Sequence, residues 1–241
     1  MGLDVGLELG ALAAAAGLAF GAGAYAARWP ASQIYGRTLV APRHPDEIAL
    51  TFDDGPNPRW TPMLLDTLER FGVKATFFLI GQYAAQQPEL VRRIHSAGHL
   101  IGNHTWTHPD LAITGKLKTR EELQRTSGEL ESILGAPVQF FRPPFGSRRP
   151  ATLSIARELG LEPVMWNSMA YDWNTGSPEL IFTRTEKLIA QNGKRGQATN
   201  LLLHDGGHLS LETDRAATVA AAGLLAERFR ISHRFVTVDA W

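Results

Sequence analysis

Cysteine is absent from the 241 residues. That excludes disulfides, thiolate nucleophiles and cysteine-bound zinc, and leaves His, Asp and Glu as the side chains able to hold a metal. Net charge is absent as well, 24 Lys+Arg balancing 24 Asp+Glu. No global field draws the chain to nucleic acid or to an anionic surface, so recognition has to come from a local site. No internal repeat, low-complexity tract or heptad pattern runs along it, which removes solenoids and coiled coils. The length suits one substantial core.

Charge is also missing from the stretch 10–27, which is long enough to cross a hydrocarbon core. It is mostly Ala and Gly, however, and offers little transfer energy. Three readings stay open: a membrane anchor, an ordinary apolar helix, or a cleaved signal. For the signal, Ala24-Tyr25-Ala26 supplies a small-residue site, but Asp4 and Glu8 stand where a positive region belongs. Arg28, Arg37 and Arg43 follow, and the positive-inside tendency then places the remainder in the cytoplasm. From Pro30 to Pro45 the chain mixes Pro, Arg, Gly and Ser without periodicity and reads as a linker. The organisation expected is therefore 1–45 as apolar segment plus linker, and 46–241 as one folded domain.

Within that domain, short apolar β-type runs alternate with amphipathic stretches. Strands are expected at Ile48 to Phe52, Ala75 to Ile80, His99 to Gly102, Val138 to Phe141, Glu162 to Trp166, Asn200 to Leu203 and Phe235 to Val238. Helices are expected at 62–71, 88–97, 119–134, from Pro150, at 178–191 and at 213–228. Thr61 before Pro62 suits an N-cap, and Gly72 and Gly98 suit helix stops. About seven βα units predict an α/β fold with a mostly parallel sheet, closed into a barrel.

In such a barrel catalytic groups gather at the carboxyl ends of the strands. Five strand ends here carry ionisable groups: Asp53 and Asp54, His104 and His108, Arg142, Asp172, and His204. Two adjacent aspartates beside Gly55-Pro56 repel one another, and a cation relieves this; an Asp-Asp-Gly turn with capping duties is the plain structural alternative. His104 and His108 are four apart, a spacing that brings both imidazoles to one metal if the segment is helical. With Asp54 they make two nitrogens and one oxygen, the donor set of an open hydrolytic site. Zinc suits that set first, with cobalt, nickel or manganese as alternatives. His44, His95, His99, His208 and His233 fit no motif, although His208 lies close enough to His204 to reach the same rim.

TFDDGP at 51–56, HTWTH at 104–108, RPPFG at 142–146, Asp172-Trp173 and Leu203-His204 occur in that order. Together they resemble the five motifs of carbohydrate esterase family 4, the NodB-homology polysaccharide deacetylases, over roughly residues 46 to 240. The resemblance implies a distorted (β/α)7-type barrel and a metal-dependent hydrolase that removes N-acetyl groups from N-acetylglucosamine units of an oligo- or polysaccharide. By the same resemblance Asp53 is the general base and Asp54, His104 and His108 the metal ligands. Arg142 orients the base, His204 is the general acid and Asp172 supports it. Phe145 supplies a backbone N–H to the oxyanion, and Trp173 and Leu203 wall the acetyl pocket. An acetylated glycan as partner implies the cell envelope or an exported protein, with 10–27 as a candidate anchor among the three readings above; oligomeric state is not legible. Two positions depart from the family pattern: Met169 stands where an additional Asp is usual, and Phe145 where Tyr is more common. O-acetyl hydrolysis on xylan and a non-catalytic carbohydrate-binding barrel are the competing expectations.

Overall fold

The computed structural model describes residue 21 and residues 23–241. Most of the 10–27 segment lies outside them. Among the described residues no helix is long and apolar enough to cross a membrane.

The strands are β1 (Glu47–Gly55), β2 (Thr76–Leu79), β3 (Leu100–Asn103), β4 (Phe140–Phe141), β5 (Glu162–Pro163), β6 (Ser168–Met169), β7 (Thr199–His204) and β8 (Arg234–Phe235). The helices between them are α1 (Trp60–Phe71), α2 (Gly81–Gln86), α3 (Pro88–Ser96), α4 (Lys116–Leu134), α5 (Pro150–Glu158), α6 (Pro178–Lys194) and α7 (Ala216–Phe229). Every pairing is parallel, in the order β5-β4-β3-β2-β1-β7-β6, with β8 beside β1. β5 and β6 follow one another in sequence yet sit at opposite ends of this order. The sheet curls into a distorted (β/α)7-type barrel that stays open between them.

Period-two alternation sorts β1 into two faces. Ile48, Leu50 and Phe52 join the helix-covered core with Leu64, Leu68 and Phe77, whereas Thr51 and Asp53 face inward onto Arg142. That inner face leads to the site. On β7 the same parity sends Leu201 and Leu203 to the helices and Leu202 inward to Met165 and Trp166.

Four local expectations change. The run Glu162 to Trp166 is not one strand: β5 ends at Pro163 and β6 begins at Ser168, because residues 164–165 pair instead with Leu39 (Leu39 N–H to Pro163 O 2.9 Å, Met165 N–H to Leu39 O 2.7 Å). Residues 39–42 are thus no free linker but part of the seam, continued by Asn200 Nδ2 to Val40 O and Ala198 N–H to Pro42 O, both 2.9 Å. Thr61 is not the N-cap of α1; the Asn57 side chain accepts from the N–H groups of Arg59 and Trp60, both 2.9 Å. The last run, Phe235 to Val238, is strand only through Phe235, and Val238–Ala240 forms a 3-10 turn. Gly72 and Gly98 close their helices as expected, with φ of 67° and 79°.

Candidate metal and catalytic site

Adjacent strand residues ordinarily point to opposite faces, so Asp53 and Asp54 cannot both enter one site from a regular strand. β1 resolves this with a bulge. Asp53 pairs with Phe78 and Gly55 with Leu79, leaving Asp54 unpaired in the left-handed region at φ 70°. Both carboxylates then reach the same cavity, each buried, at 3% and 4% exposure.

The histidine pair also arrives by a loop rather than by the helix that the spacing invited. Residues 104–108 are irregular, with positive φ at Thr105 (67°) and His108 (59°). Asn103 Oδ1 accepts the Thr105 N–H at 2.8 Å, and Thr105 Oγ1 accepts the His108 N–H at 3.1 Å. From α4, the buried Glu122 carboxylate accepts from the N–H groups of Trp106 (2.8 Å) and Thr107 (2.7 Å) and from the Thr107 hydroxyl (2.9 Å).

These supports bring Asp54, His104 and His108 together, with one donor atom from each all within 4.8 Å of one another. Asp54 Oδ1 lies 3.4 Å from His104 Nε2 and 3.1 Å from His108 Nε2. Even so, it has no hydrogen bond among the described residues, and neither has the buried His108 Nδ1. A buried carboxylate oxygen facing two imidazole nitrogens without hydrogen-bond alignment is what a shared cation satisfies. His104 Nδ1 sits 2.8 Å from the carbonyl of Arg142, an arrangement that fixes the ring and turns Nε2 toward the metal position. The donor set therefore fits a divalent metal. Burial opposes the charge of Asp54, but His104, His108 and His208 beside it hold its carboxyl well below the ordinary range. Burial keeps His108 below the ordinary imidazole value, so it tends to be neutral and available as a ligand.

Arg142, fully buried, donates from Nη1 to Asp53 Oδ1 (2.8 Å) and to Thr51 Oγ1 (2.7 Å), and its guanidinium lies 4.2 Å from the Phe78 ring centroid. Across the cavity Asp172 accepts the backbone N–H of His204 (2.8 Å) and the Thr218 hydroxyl (2.9 Å), and its Oδ1 is 2.9 Å from His204 Nδ1. Burial disfavours the imidazolium, but Asp172 overcomes it, with help from Asp54 and Asp53, and His204 rises to about 9. Asp172, although buried, is held below the ordinary carboxylate range by His204.

Phe145 (φ 57°) packs edge-on against His108 with ring centroids 4.6 Å apart, and Trp173 lies edge-on to His204 at 5.0 Å. Both line the cavity, whose volume is about 470 Å³. Leu203 does not: Leu202, on the same strand face as His204, lines it instead. Met169 also lines it.

Four participants were not singled out by motif. His208 stacks on His108 with centroids 4.5 Å apart and brings Nδ1 to 3.6 Å from Asp54 Oδ2; its nearness to His204 in sequence was the one hint. Glu122 could have been noticed as an acid on the inward face of α4. Asp205, whose carboxyl burial pushes up to about 7, accepts from the Thr61 hydroxyl beneath the Asp53-Asp54 bulge. Arg148, 1% exposed, has no sequence signal. His99 is structural, its Nδ1 accepting the Ala75 N–H at 3.1 Å.

The polysaccharide deacetylase family model matches residues 41–164. Two Bacillus cereus proteins named peptidoglycan-N-acetylglucosamine deacetylase are 37% and 36% identical, over 75% and 84% of this chain; the chain spans 64% of the first and 91% of the second. A chitooligosaccharide deacetylase of Sinorhizobium fredii is 37% identical over 66% of this chain and 72% of its own. Among solved structures, a peptidoglycan N-acetylglucosamine deacetylase in complex with 4-naphthalen-1-yl-N-oxidanyl-benzamide superposes with TM-score 0.72 at 33% identity, covering 84% of this chain and 91% of that one.

Proposed function

The chain belongs to the polysaccharide deacetylase family, and from that premise we propose that it hydrolyses N-acetyl groups of N-acetylglucosamine units in a glycan such as peptidoglycan or a chitin-like chain, releasing acetate. The observation that carries this reading is the convergence on one cavity of a three-residue donor set, an arginine-paired aspartate and an aspartate-paired histidine. Asp54, His104 and His108 hold a divalent metal, zinc being the first choice for two imidazoles and one carboxylate, with cobalt, nickel or manganese as alternatives. When bound, the metal supplies Lewis-acid polarisation of the acetyl carbonyl and acidifies water.

Asp53, ion-paired with Arg142, accepts the proton of the attacking water. The Phe145 N–H, presented by the left-handed turn, donates to the oxyanion that forms. His204 is protonated at neutral pH and gives its proton to the departing amine, while Asp172 fixes Nδ1 so that Nε2 faces the reaction. Trp173 and Leu202 wall the acetyl group.

The deciding experiment measures acetate release from chitooligosaccharides, peptidoglycan and acetylated xylan, together with metal content. Release from the first two supports the amide reading; release from xylan alone replaces it with O-acetyl hydrolysis, for which the same residues serve. Full activity in Asp53→Asn would overturn the mechanism. For a wall glycan as substrate we propose the cell envelope or the outside of the cell as the place of action.

A further inference from the structure

One wall of the cavity belongs to none of the motifs. Arg28, Trp29 and Pro30 line the cavity together with the carboxylates Asp53 and Asp54. Their position is fixed by a buried cation. Arg148 donates from Nη2 to the carbonyls of Trp29 and Ser32, both 2.8 Å, and from Nη1 to the Gly146 carbonyl at 2.8 Å, while its backbone N–H donates to Ala27 O at 2.9 Å. Burying a guanidinium against carbonyls alone is costly, so its clasp marks a segment whose place matters. Arg28 adds an ion pair at 2.9 Å to Asp110, which also accepts from the Ser147 hydroxyl and the Ala112 N–H. Segment 27–32 is thereby tied to the two loops that carry His108 and Phe145.

The Trp29 indole in this wall is 55% exposed, with Tyr25 stacked on it at 5.9 Å and 17°. Trp173, 41% exposed, faces the same cavity. A large exposed indole on a clasped stretch of backbone beside the cavity suits the apolar C–H face of a sugar ring, with the ring hydroxyls left in water.

Building on the deacetylase reading above, we propose that Trp29 is a platform for a second sugar ring, next to the one that loses its acetyl group, and that Arg148 is the residue that positions it. The enzyme then prefers chains of linked sugars to a single N-acetylglucosamine.

The test uses the full metal-loaded chain, Trp29→Ala and Trp29→Phe, with the β-1,4-linked N-acetylglucosamine tetramer and a small aryl acetate. Trp29→Ala is expected to raise KM for the tetramer about five- to tenfold with kcat little changed, Trp29→Phe to restore most of that loss, and aryl-acetate turnover to stay level in both. An unchanged tetramer KM in Trp29→Ala overturns the inference, as does an equal loss on both substrates, which would make Trp29 a structural residue. A parent protein that cleaves the aryl acetate but not the tetramer overturns the N-acetylglucosamine reading on which the inference rests, a result visible before any variant is made.

Discussion

At the scale of single residues, the site gives the two proposed proton carriers partners of opposite sign, an arginine for Asp53 and an aspartate for His204. Asp53 shares Arg142 Nη1 with Thr51, and replacing it with Asn keeps the shape while removing the proton acceptor. Asp53→Asn is expected to lower kcat by about 10²- to 10⁴-fold with metal content retained, as acetate release and elemental analysis would establish. His204 is raised to about 9, chiefly by Asp172 working against burial. A group raised in the folded state contributes stability in full below its ordinary value, 6.5 for histidine, and loses that contribution as pH rises through the folded value. The metal-free protein should therefore lose stability between neutral pH and pH near 10, and Asp172→Asn should flatten that slope in chemical denaturation. The same substitution should move the alkaline limb of the acetate-release profile to lower pH, because the imidazolium loses its main stabilising charge. An alkaline limb that stays in place would remove His204 from the role of acid.

At the scale of elements, two irregularities bring the ligands together. The β1 bulge at Asp54 turns two consecutive carboxylates to one side, and the loop after β3 curls so that His104 and His108 converge without a helix. That loop is held by Glu122 from α4, whose carboxylate accepts three hydrogen bonds. Glu122→Ala leaves the part-buried N–H groups of Trp106 and Thr107 without their acceptor, a cost at the low end of the about 1–3 kcal/mol that a fully buried group would incur. Thermal unfolding should register that loss. Since the loop carries His108, competition with a chelator should show metal affinity about 10- to 100-fold weaker, the usual effect of removing a support for the ligands. Undisturbed affinity would mean that the loop holds its shape without α4.

At the scale of the whole molecule, the barrel is incomplete and its seam is filled by chain from outside the expected domain. Leu39, Val40 and Pro42 bond to Pro163, Met165, Ala198 and Asn200. Removing residues 1–43 or 1–36 takes away Arg148's partners at Ala27, Trp29 and Ser32 alike, but only the longer deletion also loses these seam bonds, about 0.5–1.5 kcal/mol each; the 1–43 deletion should therefore melt below the 1–36 deletion, and the difference between the two melting temperatures decides it. Metal stabilises the folded state by mass action, since the three donors are assembled only there. At a free metal concentration of about a hundred times Kd the gain is about 2.7 kcal/mol. Stripping the metal with a chelator should abolish turnover and lower Tm by about 5–10 °C.

The order of TFDDGP, HTWTH, RPPFG, Asp172-Trp173 and His204 along the chain was enough to point to the polysaccharide deacetylase family and its barrel, and to name most of the residues that the structure gathers at one cavity, because side-chain chemistry and alternation are written residue by residue. Helix ends were legible for the same reason, through Pro88, Pro150, Gly72 and Gly98. Parity separated the two leucines only once β7 had a face: Leu202 lines the cavity and Leu203 the core. Contacts between distant stretches were beyond sequence reading. Arg148 clasps Trp29 across 119 positions and Asn200 reaches Val40 across 160. Such pairs carry no local periodicity; the packing that buries a guanidinium or leaves a sheet edge unpaired creates the need for them, and tertiary structure alone decides which carbonyl answers it.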